Sequence, residues 1–543
     1  MLFLRLPVRY LQYYFLLFLI EMRRMKWIVL MIVMIAWNSF CRAGTTTVFP
    51  SPEYRAVMPG SFVLPEKVRC AELPEKAHWA TYFREIFLKE VGAEFKKTNR
   101  TGVDFRFVRD TSLEAEGYCL RVRPEGIVVT AGGEPGFFYA LQTLRQLAEK
   151  EEGRGVWECC EIRDAPRYRW RSFMLDSGRQ YQQVATIKKY LDMMAALKMN
   201  YFHWHLTDGK GWRVEIRKYP RLTQVGAFVS QGPEQQGFYT QEQIREIVQY
   251  AASRYITIVP EIDMPGHSEA ALIAYPHLEC FGQVPELPER GFTHHIMCAG
   301  KAATLVFLKD VLEEVCRLFP SPYIHLGGDE APKKNWDSCA DCQAQIRQYK
   351  LQNSHDLQLW FSAQMASYLK SKGRKAVFWG DVVYQKGYPL PENVVVHWWN
   401  WRGHRDLALR SALRQGHEVI CGTNYYTYLN FPLTPWNEYG KDRTFDIRDS
   451  YENNPSMNRD TSALVLGMSC ALWADGGVRE DMIDRRLFPR ILAIAEQMWH
   501  RGDYLAFEQF YGKVKERKCW FERLGYTFGP GLRSEVPEDY KWD

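Results

Sequence analysis

From Arg167 onward, short apolar runs that end in polar or aromatic residues alternate with stretches of helical periodicity. The eight runs are Trp170–Asp176, Asn200–Thr207, Thr257–Asp263, Tyr323–Glu330, Ala376–Asp381, Val394–Trp399, Glu418–Thr423 and Leu464–Trp473. Apolar residues at helical spacing predict helices at Val184–Leu197, Gln241–Arg254, Ala302–Leu318 and Leu357–Lys372. Because alternating strands and helices form a parallel sheet, eight such units predict a (β/α)8 TIM barrel with insertions over residues 166–543.

Residues 45–165 have a different pattern, which is typical of a small α+β domain. Gly117–Val122 and Ile127–Thr130 are strand candidates on either side of a turn, and they predict a hairpin. Phe137–Leu147 has apolar residues at helical spacing and predicts a helix. We expect a linker around Glu151–Arg167. The predicted fold class is therefore α/β, with the small domain preceding the barrel.

Residues 1–43 resemble an export signal. Met25 begins a short basic segment, the apolar run Trp27–Trp37 follows, and the small residue Ala43 ends the pattern. The stretch before Met25 is also apolar, so we expect either that translation starts at Met25 or that both runs form an uncleaved anchor. Cys41 could carry a lipid. We therefore expect an exported protein, in the periplasm or on the cell surface.

The charge of the remaining chain excludes some partners. Residues 1–43 hold six basic side chains and one acidic side chain, so their removal lowers the net charge from +6 to +1. The rest of the chain has no run of basic residues, so it has no electrostatic basis for binding nucleic acid or an anionic membrane. Aromatic residues make up 14% of the chain. Such a surplus can line a sugar or base pocket or fill a large core, and composition alone slightly favours the core.

Cysteines are frequent, and export would allow them to form disulfides. Cys339 and Cys342 form a Cys-x-x-Cys pair that could be a zinc half-site, a redox pair or a loop staple. Zinc requires four ligands and no second pair at suitable spacing follows, so we expect a staple or plain thiols. Cys280 and Cys298 bracket a loop and could pair with each other. We predict no metal site and no cofactor.

The chemistry of a TIM barrel lies at the C-terminal ends of its strands. The polar and aromatic residues that close the predicted strands are Asp176, Arg179, His203, His205, Asp208, Asp263, His267, Asp329, Glu330, Trp379, Asp381, Trp398, Trp399, Tyr425, Tyr426, Tyr428, Trp473 and Asp475. Carboxylates beside aromatic walls suit a sugar ring, which has apolar faces and a hydroxyl edge. A phosphate site would need a glycine-rich cradle and a lysine, and we find neither.

His203 and His205 are two residues apart on a predicted strand, so both side chains face the same side. They could bind one metal ion, with Asp208 as a third ligand. We favour the interpretation that they are barrel-interior histidines hydrogen-bonded to carboxylates, because the other strand ends offer sugar-binding residue types rather than a ligand set.

Adjacent carboxylates close the segment from His325 to Glu330. Its two glycines allow close approach of backbone or substrate. Burial and mutual repulsion would raise the pKa of one carboxylate in the pair Asp329-Glu330, as a general acid near neutral pH requires. The pair could also belong to an ordinary acidic loop, but its position beside the aromatics on the rim favours catalysis.

Four segments in order resemble glycoside hydrolase family 20, the β-N-acetylhexosaminidases: Arg169–Arg179, His203–Asp208, Pro260–His267 and His325–Glu330. The resemblance runs from about residue 50 to beyond 500 and includes the small N-terminal domain. It implies exo-acting hydrolysis of terminal non-reducing β-linked N-acetylhexosamine, GlcNAc or GalNAc, from glycans. It also implies substrate-assisted retention, in which the acetamido oxygen of the substrate replaces an enzyme nucleophile.

The resemblance implies a role for each matched residue. Glu330 would protonate the leaving oxygen and then activate water, while Asp329 would orient the acetamido N–H and stabilise the developing positive charge. Asp208 and His267 would support the acid and tune its pKa. Arg179 would bind the hydroxyls of the terminal sugar.

The remaining predicted contacts are aromatic. Tyr428 resembles the tyrosine that bonds the acetamido oxygen. The residues that would wall the acetamido pocket and the sugar face are Trp379, Trp398 or Trp399, and Trp473.

Two positions depart from the family pattern. Gly209 follows Asp208 where the family usually has Asp or Gln, and the last-strand motif is Trp473-Ala474-Asp475 where the family has Trp-x-Glu. Aspartate is one methylene shorter than glutamate, so Asp475 would reach O4 and O6 less well. We hypothesise altered tolerance at C4 or C6 of the sugar.

Two other functions compete with this interpretation. A sugar-binding protein without activity could use the same barrel, but it would be expected to lose Asp329 or Glu330, and both are present. A different barrel glycosidase could use Asp381 as its nucleophile and would act on sugars that lack the acetamido group. The sequence does not reveal the oligomeric state.

Overall fold

The computed structural model describes residues 47–542 except 71–72, 98–102, 231, 288–292, 437–438 and 460–461. The expected export signal at residues 1–43, with the lipid site at Cys41, lies outside these residues. Within them, no helix has both the length and the apolar character needed to cross a bilayer.

The N-terminal domain is built on a mixed sheet in the order β1-β8-β5-β6-β4-β2-β3, with β7 paired to β8. Its strands are β1 (Tyr54–Val63), β2 (Lys67–Cys70), β3 (Glu94–Lys97), β4 (Phe105–Arg109), β5 (Tyr118–Arg123), β6 (Gly126–Ala131), β7 (Glu149–Glu151) and β8 (Arg154–Asp164). The predicted hairpin is the antiparallel pair β5–β6. The predicted helix spans Glu134–Leu147 and buries most of its residues, and short helices lie at His78–Tyr82 and Leu88–Glu90.

The expected linker is wrong. Residues 151–167 contain β8, which pairs with β1 on one side and β5 on the other. Its outward positions include Glu158 and Arg163, while Trp157 and Ile162 are buried. The charged residues therefore lie on the exposed face of a strand. Their presence made the composition of the segment similar to that of a linker.

The second domain is a closed barrel of eight parallel strands, which confirms the predicted fold class. The strands from residue 170 onward are β9 (Trp170–Asp176), β10 (Tyr201–His205), β11 (Thr207–Asp208), β12 (Gly211–Trp212), β13 (Thr257–Glu261), β14 (Tyr323–His325), β15 (Lys375–Trp379), β16 (Val394–Trp398), β17 (Glu418–Cys421) and β18 (Val465–Leu472). Strands β11 and β12 form a separate ribbon, and each of the others coincides with one predicted run.

Helices surround the barrel, and all four that the sequence predicts are present. The longer helices are Val184–Ala196, Gln241–Ala252, Ala302–Leu318, Ala340–Gln348, Ser354–Ser371, Leu407–Arg414, Ile447–Asn453, Arg490–Trp499 and Phe507–Arg523. Shorter helices lie at Arg221–Gln224, Glu269–Ala274, Lys334–Ser338, Trp401–His404, Asn424–Thr427 and Ile483–Leu487.

Apolar side chains fill the barrel near the start of its strands. This cluster consists of Trp170, Val259, Val377, Val395, Ile420 and Leu466. Because successive residues of a strand face opposite sides, the side chain two positions after Val395, His397, also points inward, whereas Trp398 points outward. His397 stacks on Trp379 with ring centroids 4.3 Å apart, above the apolar cluster.

The small domain docks on the face where the barrel strands begin. Asp164 accepts from the Lys198 ammonium at 2.8 Å, and both side chains are completely buried. Trp499 Nε1 donates to the same carboxylate at 2.9 Å. Glu116 pairs with the buried Arg171 guanidinium at 2.6 Å. The opposite end of the barrel, where the strands finish, stays open for a site.

Candidate active site

A line of alternating charges crosses the open end of the barrel. The Arg179 guanidinium donates to Asp176 at 2.9 Å and to Asp208 Oδ2 at 2.8 Å. His267 Nδ1 lies 3.4 Å from the same Asp208 oxygen. The other ring nitrogen, His267 Nε2, lies 3.6 Å from Asp329 Oδ2 and 3.7 Å from Glu330 Oε2. The structure therefore brings together five of the predicted charged residues that lie after β9, β10, β13 and β14.

The backbone after β14 makes a sharp turn that presents both carboxylates. Gly327 and Gly328 have φ of +64° and +90°, and Glu330 itself has φ of +47°. A Cβ at Gly327 would lie 1.8 Å from Asp263 Oδ1, and the Gly328 N–H donates to that oxygen at 3.2 Å. The glycines are therefore required for this close approach, and they allow Asp329 and Glu330 to share one site.

The two adjacent carboxylates have opposite environments. Burial, together with the charge of Asp263, holds the pKa of Asp329 well above its usual range. The interaction with the His267 imidazole, 3.7 Å away, lowers the pKa of Glu330, whose side chain is 41% exposed. Burial opposes charging of His267, but the negative charge of Asp329 and the interactions with Asp208 and Glu330 outweigh it and keep that pKa well above the usual value.

The predicted rise in pKa thus falls on one member of the pair, Asp329, and not on the expected acid, Glu330. The two carboxylates differ because they lie at different depths in the site. Asp329 lies deeper, with a side-chain exposure of 13% against 41% for Glu330, and it loses more hydration. A substrate that covers Glu330 would remove its water and favour the protonated form that a general acid needs.

Trp473 is the centre of an aromatic wall beside the charged line. The centre of its ring lies 5.1 Å from the ring centre of His205, 5.7 Å from that of Trp379 and 5.9 Å from that of Tyr428. The Arg179 guanidinium lies 5.1 Å from the centre of the Trp473 ring. These contacts place the predicted Trp379, Tyr428 and Trp473 together, next to the residue expected to bind sugar hydroxyls.

Of the two adjacent tryptophans, only Trp399 belongs to the site. Its ring is parallel to Tyr428 at 6.3 Å, and Nε1 donates to Asp381 Oδ2 at 2.7 Å. Trp398 ends β16 on the outer face of the barrel, where it is fully buried and donates to the Arg405 carbonyl at 2.7 Å. The candidate role of Trp398 in the pocket is therefore wrong.

A buried glutamate beneath the site was missed as a functional residue. Glu261 Oε2 lies 2.8 Å from His203 Nε2 and 2.5 Å from His205 Nδ1, while Oε1 accepts from Trp379 Nε1 at 2.8 Å. The expected hydrogen bonding of the two histidines to a carboxylate is confirmed. Alternation along β13 carries the signal, since Glu261 is two residues after the inward Val259.

The two departures from the family pattern have local explanations. Asp475 Oδ1 accepts from Asn430 Nδ2 at 3.0 Å and from Tyr439 Oη at 3.3 Å, two contacts that the sequence did not suggest. A Cβ at Gly209 would lie 2.6 Å from an oxygen of the buried Glu269, so glycine leaves room for that carboxylate. The altered tolerance at C4 or C6 remains a prediction.

Family models match both domains of this chain. The glycosyl hydrolase family 20 catalytic domain matches residues 168–502, and domain 2 of the same family matches residues 45–165. The chain belongs to glycosyl hydrolase family 20. The barrel with its acid pair is the catalytic domain of that family, and the sheet that precedes it is the accompanying domain.

Relatives within family 20 include proteins of known structure. The crystal structure of a β-N-acetylhexosaminidase from Bacteroides fragilis is 56% identical, with a TM-score of 0.87 over 92% of this chain and 100% of that one. An exo-β-N-acetylglucosaminidase from Vibrio harveyi, in complex with N-acetylglucosamine, is 28% identical, with a TM-score of 0.81 over 90% of this chain and 79% of that one.

A curated relative is longer than this chain. The β-hexosaminidase of Porphyromonas gingivalis is 39% identical over 417 residues, which are 71% of this chain and 51% of that protein. The match thus spans about half the length of that relative. The β-hexosaminidase of Akkermansia muciniphila is 32% identical over 76% of this chain and 86% of that protein.

Proposed function

We propose that this chain is an exo-acting β-N-acetylhexosaminidase that removes terminal β-linked N-acetylhexosamine from a GlcNAc-containing glycan by substrate-assisted retention. The observation that carries the proposal is the pair Asp329 and Glu330, held beside His267 and an aromatic wall at the mouth of a family 20 barrel. The names of the relatives and the N-acetylglucosamine bound to the Vibrio harveyi enzyme support the substrate class.

The side chains divide the reaction between them. Glu330 is exposed at the rim, where it can protonate the leaving oxygen and then accept a proton from water. Asp329 lies deeper and would face the acetamido N–H, where positive charge develops as the acetamido oxygen attacks the anomeric carbon. Burial, with a contribution from the charge of Asp329, keeps the pKa of Tyr428 well above its usual value, so its hydroxyl remains a donor for the acetamido oxygen.

Asp381 fits a positioning role better than that of a nucleophile. One oxygen accepts from Trp399 Nε1 at 2.7 Å, and the other accepts from the Glu330 backbone N–H at 3.3 Å. Both oxygens therefore hold parts of the site in place. This arrangement favours the substrate-assisted mechanism over a two-carboxylate scheme.

The deciding experiment compares aryl β-N-acetylglucosaminide with aryl β-glucoside, using wild type and Glu330→Gln. We expect turnover of the acetamido sugar alone, and a loss of about 100-fold or more in the variant because the general acid is gone. Turnover of both sugars would require an enzymic nucleophile and contradict the mechanism. A folded wild type that binds the acetamido sugar and turns over neither substrate would favour a sugar-binding protein.

Export is a separate part of the proposal. It is supported by the basic start at Met25, the apolar run Trp27–Trp37 and the small Ala43. Cell fractionation and N-terminal sequencing of the mature protein test it, and metabolic labelling with palmitate tests lipid attachment at Cys41. An unprocessed protein confined to the cytoplasm would contradict export.

A further inference from the structure

Four buried cysteines from three segments of the chain meet outside the active site: Cys280, Cys298, Cys339 and Cys342. Their sulfur atoms all lie within 4.8 Å of one another. The Cys298–Cys342, Cys298–Cys339 and Cys280–Cys342 distances are 3.5, 3.8 and 3.9 Å. All four are free thiols, so of the two alternatives the plain thiols are confirmed over the staple, and Cys280 does not pair with Cys298. The sequence did not reveal that the second pair precedes Cys339 and Cys342 in the chain and that the fold brings it there.

We propose that these four cysteines bind one zinc ion in a structural site. Four sulfurs at about 2.3 Å from a tetrahedral zinc ion are separated by about 3.8 Å from one another, which is the spacing of the measured pairs. A disulfide requires about 2.05 Å, far less than any of the three distances. Four thiolates leave no coordination position open, so the site serves stability rather than catalysis.

The surroundings favour thiolates. Cys339 immediately precedes helix Ala340–Gln348 and Cys342 lies in its first turn, where the helix dipole stabilises negative charge. The backbone N–H groups of Gly300 and Lys301 lie beside the Cys298 sulfur. Backbone donors of this kind are the usual outer-shell partners of a metal-bound sulfur.

A glycine permits the two halves of the site to meet. A Cβ at Gly300 would lie 2.2 Å from the carbonyl carbon of Asp341 and 2.3 Å from the backbone nitrogen of Cys342. The loop that carries Cys298 therefore reaches the start of helix Ala340–Gln348 only because position 300 has no side chain. This close backbone contact holds the two halves of the site against each other.

The site joins the two loops that carry the acid and its histidine partner. Cys280 and Cys298 lie in the loop region after β13, which also contains His267, and Cys339 and Cys342 follow β14 and Glu330. Other contacts join the same loops, including Trp336 Nε1 to the Met297 carbonyl at 3.1 Å. Zinc would fix these loops relative to each other from behind the catalytic rim.

The test measures zinc and thiols in the full-length protein, purified without reductant or chelator. We expect one zinc ion per chain by mass spectrometry of the metal. We also expect the four thiols to react with a thiol reagent only after denaturation with chelator. Cys298→Ser should lose the zinc and lower the Tm by roughly 5–10 °C. The Tm falls because the free energy of zinc binding contributes to the free energy of folding. Cys316 lies on helix Ala302–Leu318 outside the cluster, so Cys316→Ser should keep the zinc and the Tm of the wild type.

Other outcomes overturn the proposal. Four sulfurs that react only after reduction, in a protein without metal, would show two disulfides, and stoichiometric iron would show a different ion. If Cys298→Ser does not fold, cobalt exchange into wild type decides: tetrahedral thiolate coordination gives intense visible absorption, and its absence excludes the site. Glu330→Gln should retain full zinc content, so a failure of the proposed catalysis remains distinguishable from a failure here.

Discussion

Trp398 and Trp399 are neighbours in sequence with different tasks, and their substitution should separate activity from stability. Trp399→Phe removes the donor to Asp381, so we expect kcat/KM to fall about tenfold with little change in stability. Trp398→Phe removes a buried donor to the Arg405 carbonyl, so we expect a loss of about 1–3 kcal/mol of stability and nearly unchanged kcat/KM. Steady-state kinetics and urea denaturation test both, and the reverse pattern would contradict the assignment.

Asp263 should make stability depend on pH. Burial and the charge of Glu261, against the opposing charge of His267, raise the pKa of Asp263 from 3.8 to about 7. An acid with a higher pKa in the folded chain binds its proton more tightly there, so stability is full below the unfolded pKa and falls as pH rises toward the folded one. The loss levels off above about pH 7.

Asp263→Asn provides the comparison, since the amide oxygen can still accept from the Gly328 N–H. We expect the stability difference between variant and wild type to shift in favour of the variant between about pH 4 and 7. Urea denaturation of both proteins across this range measures the difference. Parallel stability curves would show that Asp263 is ionised in the folded protein throughout.

Much of the site could be predicted residue by residue, because Arg179, Asp208 and Glu330 follow strands whose ends converge on one rim. The direction in which individual side chains point could not be predicted in the same way. The difference between Trp398 and Trp399 depends on the residue at which β16 ends, which periodicity does not fix. The partner of a cysteine such as Cys298 was equally hidden, since it comes from a different loop.

At the scale of elements, the turn after β14 determines the geometry of the acid pair. In Gly327→Ala, the new Cβ would overlap Asp263 in a left-handed conformation, so we expect a loss of at least about 3 kcal/mol and a large fall in kcat/KM. Gly373→Ala is the matched control, with φ of +70° and nothing within 4 Å of the added atom. It should lose only about 1 kcal/mol.

Thermal denaturation and kinetics of the two variants test this prediction. Equal effects at both positions would mean that backbone conformation alone matters and that contact with Asp263 does not.

The barrel strands were predictable as elements because they are buried and nearly free of polar residues, as in β16 and β18. Strand β8 was not, because it covers a domain on one face only and exposes charged residues such as Glu158 on the other. An alternating pattern with charges resembles a connection unless the pairing strands are known. The sequence signal is therefore strongest where both faces of a strand are buried.

At the scale of the molecule, the buried pair Asp164 and Lys198 joins the two domains. Asp164→Asn leaves an ammonium buried without a counter-charge, so we expect a loss of about 3–5 kcal/mol. The double variant Asp164→Asn with Lys198→Met buries no charge and should recover most of that loss. Chemical denaturation of the single and double variants measures this coupling, and additive losses would argue against it.

The order of domains and the barrel itself were visible in the sequence, but this interface was not. Lys198 and Arg171 look like ordinary surface residues in sequence, and nothing nearby in the chain marks their partners Asp164 and Glu116. Charged residues are rarely buried without a partner, so their burial becomes predictable only once the domains are placed together.

The buried cations also limit how this architecture can be recombined. Arg171 and Lys198 belong to the barrel, while their counter-charges, Glu116 and Asp164, come from the small domain. A foreign module grafted at residue 165 would leave two uncompensated charges on the floor of the barrel. The small domain therefore cannot be exchanged at residue 165 alone. A chimera has to exchange the residues at the start of the barrel strands together with the domain that covers them.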